Sequence, residues 1–207
     1  MPTFSKILTR CAEISEELPG AVFIGGVAVY LHSLSKSLPF RGEGSHDADF
    51  MISFLDYGVL KDEEEVTHNP RLRKHQIVYE GVGFDVYVEK LSRLVVPYDE
   101  ALAHAEWLDG VRVAALPHLL VLKLEALADR GHSSKGEKDR RDVVKICALM
   151  GTSFDHDLVE PYLRPRTEEV LREIEKGRTF HDLAGGNAHA AKKMRTAFTR
   201  TMKAVLR

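Results

Sequence analysis

The segment Ile24-Gly25-Gly26 is followed, one loop later, by Ser45-His46-Asp47-Ala48-Asp49-Phe50. From Asp47 the chain continues Met51-Ile52-Ser53-Phe54, with apolar residues at the even positions. A strand over 47–54, with its period of two, therefore turns Asp47 and Asp49 to one face and Ala48, Phe50, Ile52 and Phe54 to the other. Two carboxylates side by side repel each other, so a cation belongs between them. A hard divalent ion with oxygen ligands, Mg²⁺ first, is the natural choice.

Composition narrows the field. The chain has 207 residues, 44% of them apolar, enough for one large or two small domains with a real core. Net charge is −2, so any nucleic-acid contact must come from a local basic patch. The two cysteines, Cys11 and Cys147, fall in apolar helical patterns. They are expected to be reduced core residues and supply neither a disulfide framework nor a zinc site. No targeting signal and no membrane-length apolar run is visible, so a cytoplasmic protein with no membrane partner is expected.

Taken in order, residues 3–18 carry one helical apolar stripe that Pro19-Gly20 ends. Residues 21–24 predict a short buried strand, and Gly25-Gly26 turns the chain into a helix over 27–34. Strand, glycine pair and helix form a phosphate-binding arrangement, although a glycine pair alone is more often just a tight turn. A polar loop with Lys36 and Arg41 leads to the Asp47 strand. Residues 56–65 are acidic and predict a surface turn or short helix. The basic cluster of residues 71–74 leads into a strand over 75–79, and a glycine-containing turn leads back into Phe84-Asp85-Val86-Tyr87-Val88. Asp85 shares a face with Tyr87 in an otherwise apolar strand, which is costly unless the carboxylate is paired or binds metal. Beside Asp47 and Asp49 it reads as the third member of a cluster.

Residues 111–115 suggest a further strand, and Leu116-Pro117 opens a long helix on which Lys123 and Arg130 fall close to one face. A polar break over 131–136 precedes a helix starting near Lys138. Asp139 and Asp142 would then sit in its first turn, where acids are favourable without any chemistry. Helices are expected over 154–162 and 167–176. Beyond Asp182 there is no acidic residue, while Lys192, Lys193, Arg195, Arg200, Lys203 and Arg207 all follow. Met194, Phe198, Met202 and Val205 give that tail an amphipathic spacing. Such tails mostly pack their stripe and solvate their charges; a minority grip phosphates.

Three carboxylates opposite a glycine-rich turn outline a phosphoryl-transfer site. Asp47, Asp49 and Asp85 would hold Mg²⁺ and a nucleoside triphosphate, and Asp85 would help deprotonate the attacking hydroxyl. Gly25 and Gly26 would admit backbone amides to the phosphates, and Lys123 or Arg130 would add positive charge.

As an ordered set, Gly25-Gly26, Asp47-Ala48-Asp49 and Asp85 resemble the nucleotidyltransferase (DNA polymerase β-like) superfamily. Arg41, Ser45 and the Asp pair, with the later Lys123, Arg130, Lys138-Asp139 and Asp142, resemble the AbiEii-type toxins of toxin–antitoxin systems. The resemblance spans residues 20–150. It implies an α/β fold, with a mixed sheet flanked by helices in a catalytic domain over 1–115 and a helical bundle over 116–207. It also implies a Mg²⁺-dependent enzyme that moves a nucleotide from a nucleoside triphosphate to an acceptor hydroxyl, with the tRNA 3′ end as acceptor and a cognate antitoxin as a partner. By position, Lys123 matches a lysine that touches the triphosphate and Asp139 an aspartate needed for activity. Ser45 matches a serine near the triphosphate that in some members is an antitoxin's target. The alternatives are a small-molecule, aminoglycoside-type nucleotidyltransferase and a non-catalytic module of the same fold. The basic stretches favour an RNA-like acceptor over a polycationic one, and the full set of carboxylates weighs against a degenerate copy. A metal-dependent nuclease would leave the glycine turn unexplained.

Overall fold

The computed structural model describes residues 4–37, 46–71, 73–131 and 133–207. They form two compact units, 1–115 and 116–207.

In the first unit, helix α1 (Phe4–Glu17) precedes β1 (Val22–Ile24), α2 (Gly25–Ser35), β2 (Asp47–Ile52) and α3 (Phe54–Glu63). Then come β3 (Thr67–Asn69), β4 (Lys74–Tyr79), β5 (Val82–Val88), α4 (Tyr98–Ala103), β6 (Glu106–Leu108) and β7 (Val111–Val113). The strands make one sheet of seven, in the order β3-β4-β5-β2-β1-β7-β6. β2 runs parallel to β5 and β1 parallel to β7, and the remaining pairs are antiparallel. This mixed sheet with flanking helices is the expected α/β architecture.

Burial explains why β2 holds its register. Ala48, Phe50 and Ile52 are buried on one face, level with Phe84, Val86 and Val88 of β5, which are buried too. From β1, Phe23 sits opposite Phe50, with ring centroids 5.2 Å apart, in tilted contact.

The strand expected over 47–54 ends two residues early. The Ser53 hydroxyl accepts the Asp56 N–H at 2.9 Å and so caps α3. Phe54 is thereby in a helix and half exposed rather than on the core face. The β6–β7 hairpin was legible only in part: Asp109-Gly110, both with positive φ (50° and 77°), make the turn. Asp-Gly between short apolar runs is a hairpin signal. Strand β3 and helix α4 were not anticipated.

The second unit contains α5 (Leu116–Arg130), α6 (Ser134–Met150), α7 (Pro165–Lys176), α8 (Thr179–Leu183) and α9 (Ala188–Val205). Its core joins Leu120, Leu124 and Leu127 to Val143, Ile146 and Cys147, and adds Leu171, Phe198 and Met202. The expected helix over 154–162 is instead two short 3-10 turns, His156–Leu158 and Glu160–Tyr162. Pro161 has no N–H to continue an α-helical ladder.

The polar break after α5 is also shorter than expected. Ser133 caps α6 by accepting the Gly136 N–H at 3.1 Å, so the helix starts at Ser134. Gly136 is needed there, because a Cβ would overlap the carbonyl oxygen of Gly131.

Cys11 and Cys147 are free and buried, and burial pushes each thiol's pKa up to about 12. Among the described residues no helix is long and apolar enough to cross a membrane.

Truncating Phe50 to Ala should remove its contact with Phe23 and open a cavity in the first unit. The expected cost is about 3–5 kcal/mol, read as a lower urea midpoint at unchanged m-value.

Candidate functional site

The sheet register gathers the strand carboxylates. Asp47 and Asp49 lie on one face of β2, both half-buried. Asp85 of β5 lies level with Asp49, and Gly83 level with Asp47. On the other side Ile24, the last residue of β1, is level with Asp49.

The next residue, Gly25, has φ +71°, and a Cβ there would overlap Oδ2 of Asp49 and lie 3.0 Å from its Cγ. The main chain at the start of α2 thus runs directly against the Asp49 carboxylate, and only glycine allows both that approach and that φ. Gly25-Gly26 is the first turn of α2 itself, not a turn before it. Ser45 and Arg41 lie outside the described residues; His46 is exposed.

Asp85 is buried at 6% exposure and has a partner that the sequence reading did not assign. The Lys74 ammonium forms an ion pair with its Oδ2, and Gln76 donates from Nε2 to Oδ1 at 3.3 Å. Gln76 is directly opposite Asp85 in the β4–β5 ladder, and Lys74 lies two residues away on the same face. In the sequence Lys74 closes the basic cluster of residues 71–74. It begins β4 and points its charge into the carboxylate face, whereas Arg71 and Arg73 are exposed. The alternation Lys74, Gln76 ahead of a strand that returns through Asp85 was the available signal.

For a divalent ion the donor chemistry suits Asp47 and Asp49, two hard oxygen ligands on one face. Mg²⁺ characteristically takes one or two carboxylates and completes its shell with water and phosphate oxygens. Among the described residues no group of three or more His, Cys, Asp or Glu side chains is gathered as a metal cage. The charge of Asp85 is answered here by Lys74.

A second charged cluster lies within the second unit. Lys123 of α5 reaches Asp139 Oδ1 at 2.9 Å and Asp142 Oδ2 at 3.0 Å. Arg130 Nη1 donates to Asp139 Oδ2 at 2.7 Å. Because α6 starts at Ser134, Asp139 and Asp142 stand beyond its first turn, so the helix-terminus explanation for them fails. They are buried at 2% and 4% exposure and serve Lys123 instead. Burial by itself would lower the pKa of the Lys123 ammonium, but Asp142 and Asp139 outweigh it and raise the pKa. Lys123 is therefore held charged and oriented.

Three solved structures are similar over nearly the whole chain. JHP933 from Helicobacter pylori matches with a TM-score of 0.57 at 13% identity, covering 98% of this chain and 92% of that one. A provisionally assigned nucleotidyltransferase from H. pylori matches with a TM-score of 0.52 at 12% identity, covering 98% and 95%. An antigenic nucleotidyltransferase-like protein from Paracoccidioides brasiliensis matches with a TM-score of 0.48 at 14% identity, covering 95% and 92%. No protein-family model and no curated protein matches the sequence. At these identities the likeness is one of fold.

Removing Asp139 leaves buried Lys123 with half of its counter-charge. Asp139→Ala should cost about 3–5 kcal/mol in urea unfolding. Replacing the buried set together, Lys123→Met with Asp139→Leu and Asp142→Asn, should cost clearly less than the single change, because neither the ammonium nor either of its carboxylate partners is left buried without its counter-charge.

Proposed function

We propose that this chain is a Mg²⁺-dependent nucleotidyltransferase that moves a nucleotide from a nucleoside triphosphate to an acceptor hydroxyl, most simply the 3′ end of a tRNA. The observation that carries the reading is the carboxylate pair Asp47/Asp49 with the Gly25 main chain pressed against Asp49. A nucleotidyltransferase-like fold supports it.

Asp47 and Asp49 are the residues to hold Mg²⁺, which when bound neutralises charge on the triphosphate and the leaving pyrophosphate. The main chain of Gly25 and Gly26, at the start of α2, brings N–H groups to phosphate oxygens. Asp85, oriented by Lys74 and Gln76, accepts the proton of the attacking hydroxyl. That hydroxyl oxygen bonds to the α-phosphorus as the bond to the bridging oxygen breaks, and pyrophosphate leaves. The AbiEii resemblance assigns Lys123 to the triphosphate and Asp139 to activity, and the Asp139–Lys123 pair keeps that ammonium charged.

The acceptor and the biological role rest on the same resemblance: tRNA as substrate, growth inhibition as effect, and a cognate antitoxin as the restraining partner. The exposed basic side chains Lys192, Lys193, Arg200 and Lys203 suit a polyanionic acceptor better than an aminoglycoside.

The test is incubation with each α-labelled nucleoside triphosphate, Mg²⁺ and total tRNA. Label should appear on tRNA, and Asp47→Ala or Asp49→Ala should reduce it by at least about a hundredfold, with an unchanged circular dichroism spectrum. Transfer to a small aminoglycoside instead would move the assignment to the small-molecule class. Undiminished transfer by either variant would remove these carboxylates from the site.

A further inference from the structure

Helix α9 is divided lengthwise by charge. Asn187 caps it, its Oδ1 accepting the Ala190 N–H at 3.0 Å. At 3.6 residues per turn, Phe198, Thr201, Met202 and Val205 fall on one side and are buried. On the opposite side Lys192, Lys193, Arg200 and Lys203 fall within an arc of about 100°, together with Thr196, and all are exposed. Arg195 lies outside this arc: it donates to the Gly177 carbonyl at 2.9 Å and covers the Phe180 ring.

Several other cations of the same unit are paired. Arg164 and Arg166 pair with Glu125, Arg166 also with Asp129, and Arg140 with Glu137. Among the described residues no ion pair or side-chain hydrogen bond is made by Lys192, Lys193, Arg200 or Lys203. The helix itself contains no Asp or Glu. Arg200 and Lys203 are like charges at a helical spacing of three, which costs helix stability, and a polyanion laid along the stripe would offset that cost.

We infer that the exposed stripe of α9 is a docking surface for the phosphate backbone of RNA. This rests on the reading of the acceptor as RNA and extends it to residues outside the proposed catalytic set. Three features select this partner. The stripe extends about 16 Å along the helix from Lys192 to Lys203, suited to successive phosphates. Between its cations it offers Thr196 rather than the aromatic or apolar anchor that a protein interface needs. The apolar side of α9 is already buried within the unit, so the helix has no free face to sink into a lipid surface. Contacts of this kind are to phosphate and carry no base sequence.

The experiment measures tRNA binding by fluorescence anisotropy between 50 and 300 mM salt, for wild type and for a Lys192→Gln, Lys193→Gln, Arg200→Gln, Lys203→Gln variant. All four positions are solvent-exposed, so the variant should fold; its thermal midpoint and its nucleoside triphosphate affinity should match wild type. Binding at 150 mM salt should weaken by about 10- to 100-fold, and the slope of log K against log salt should flatten by about three. A second variant that puts Arg at the three lysine positions should keep both affinity and slope.

Unchanged tRNA affinity and slope in the Gln variant would overturn the inference, as would wild-type binding that is insensitive to salt. Loss of binding to phosphatidylserine vesicles with tRNA binding intact would also overturn it, in favour of a membrane surface. The two readings separate cleanly. Stripe-dependent tRNA binding without label transfer would sink the enzyme and keep the docking surface, whereas undiminished transfer and binding by the Gln variant would do the reverse.

Discussion

The register of β2 between β1 and β5 is the constraint on which the first unit depends. Phe50 must meet Phe23 and Val86 in the core, and that requirement alone fixes where Asp47 and Asp49 point. A slip of one residue would bring both carboxylates into the apolar layer and expose Phe50. The hydrophobic face is thus what holds the polar face in place, and the parallel pairing with β5 brings Asp85 level with Asp49. Gly25 completes the arrangement from the other side, because its missing side chain lets main chain and carboxylate share one space.

Buried charge is handled by one rule in both units. A buried carboxylate is tolerated only with a cation or donors beside it. Asp85 has Lys74 and Gln76; Asp139 and Asp142 have Lys123, with Arg130 on Asp139. Such clusters add little net stability, since desolvation offsets most of the attraction. What they provide is orientation: each charged group is pinned at a defined atom. On α9 the rule does not operate, since its cations are exposed and water carries the cost. Pinned charges suit chemistry on a small group, and solvated ones suit reversible contact with a polymer.

The shared face of Asp47 and Asp49 was legible in the sequence because it follows from local periodicity, whereas the α/β class came from the ordered motifs and the family they resemble. Alternation over residues 47–52 needs no knowledge of partners, and neither does the apolar stripe of α1. Capping chemistry was equally local and was overlooked: Ser53 and Ser133 each set a helix start that differs from the expected one. The Asp109-Gly110 turn belongs with them.

The tertiary structure alone decided who partners whom. Lys74 and Asp85 are 11 residues apart, and Lys123 and Asp139 are 16 apart. No spacing rule pairs them, because strand register and helix packing bring them together. Asp139 and Asp142 show the difference most directly. Read along the chain they were acids flattering a helix terminus; packed against α5 they are the counter-charge of a buried lysine. The sequence determined which faces are apolar and where charge lies along each element, since these depend on residue type and period. Which charge meets which was left to packing, since an ion pair forms only where two elements are brought within a few ångströms of each other.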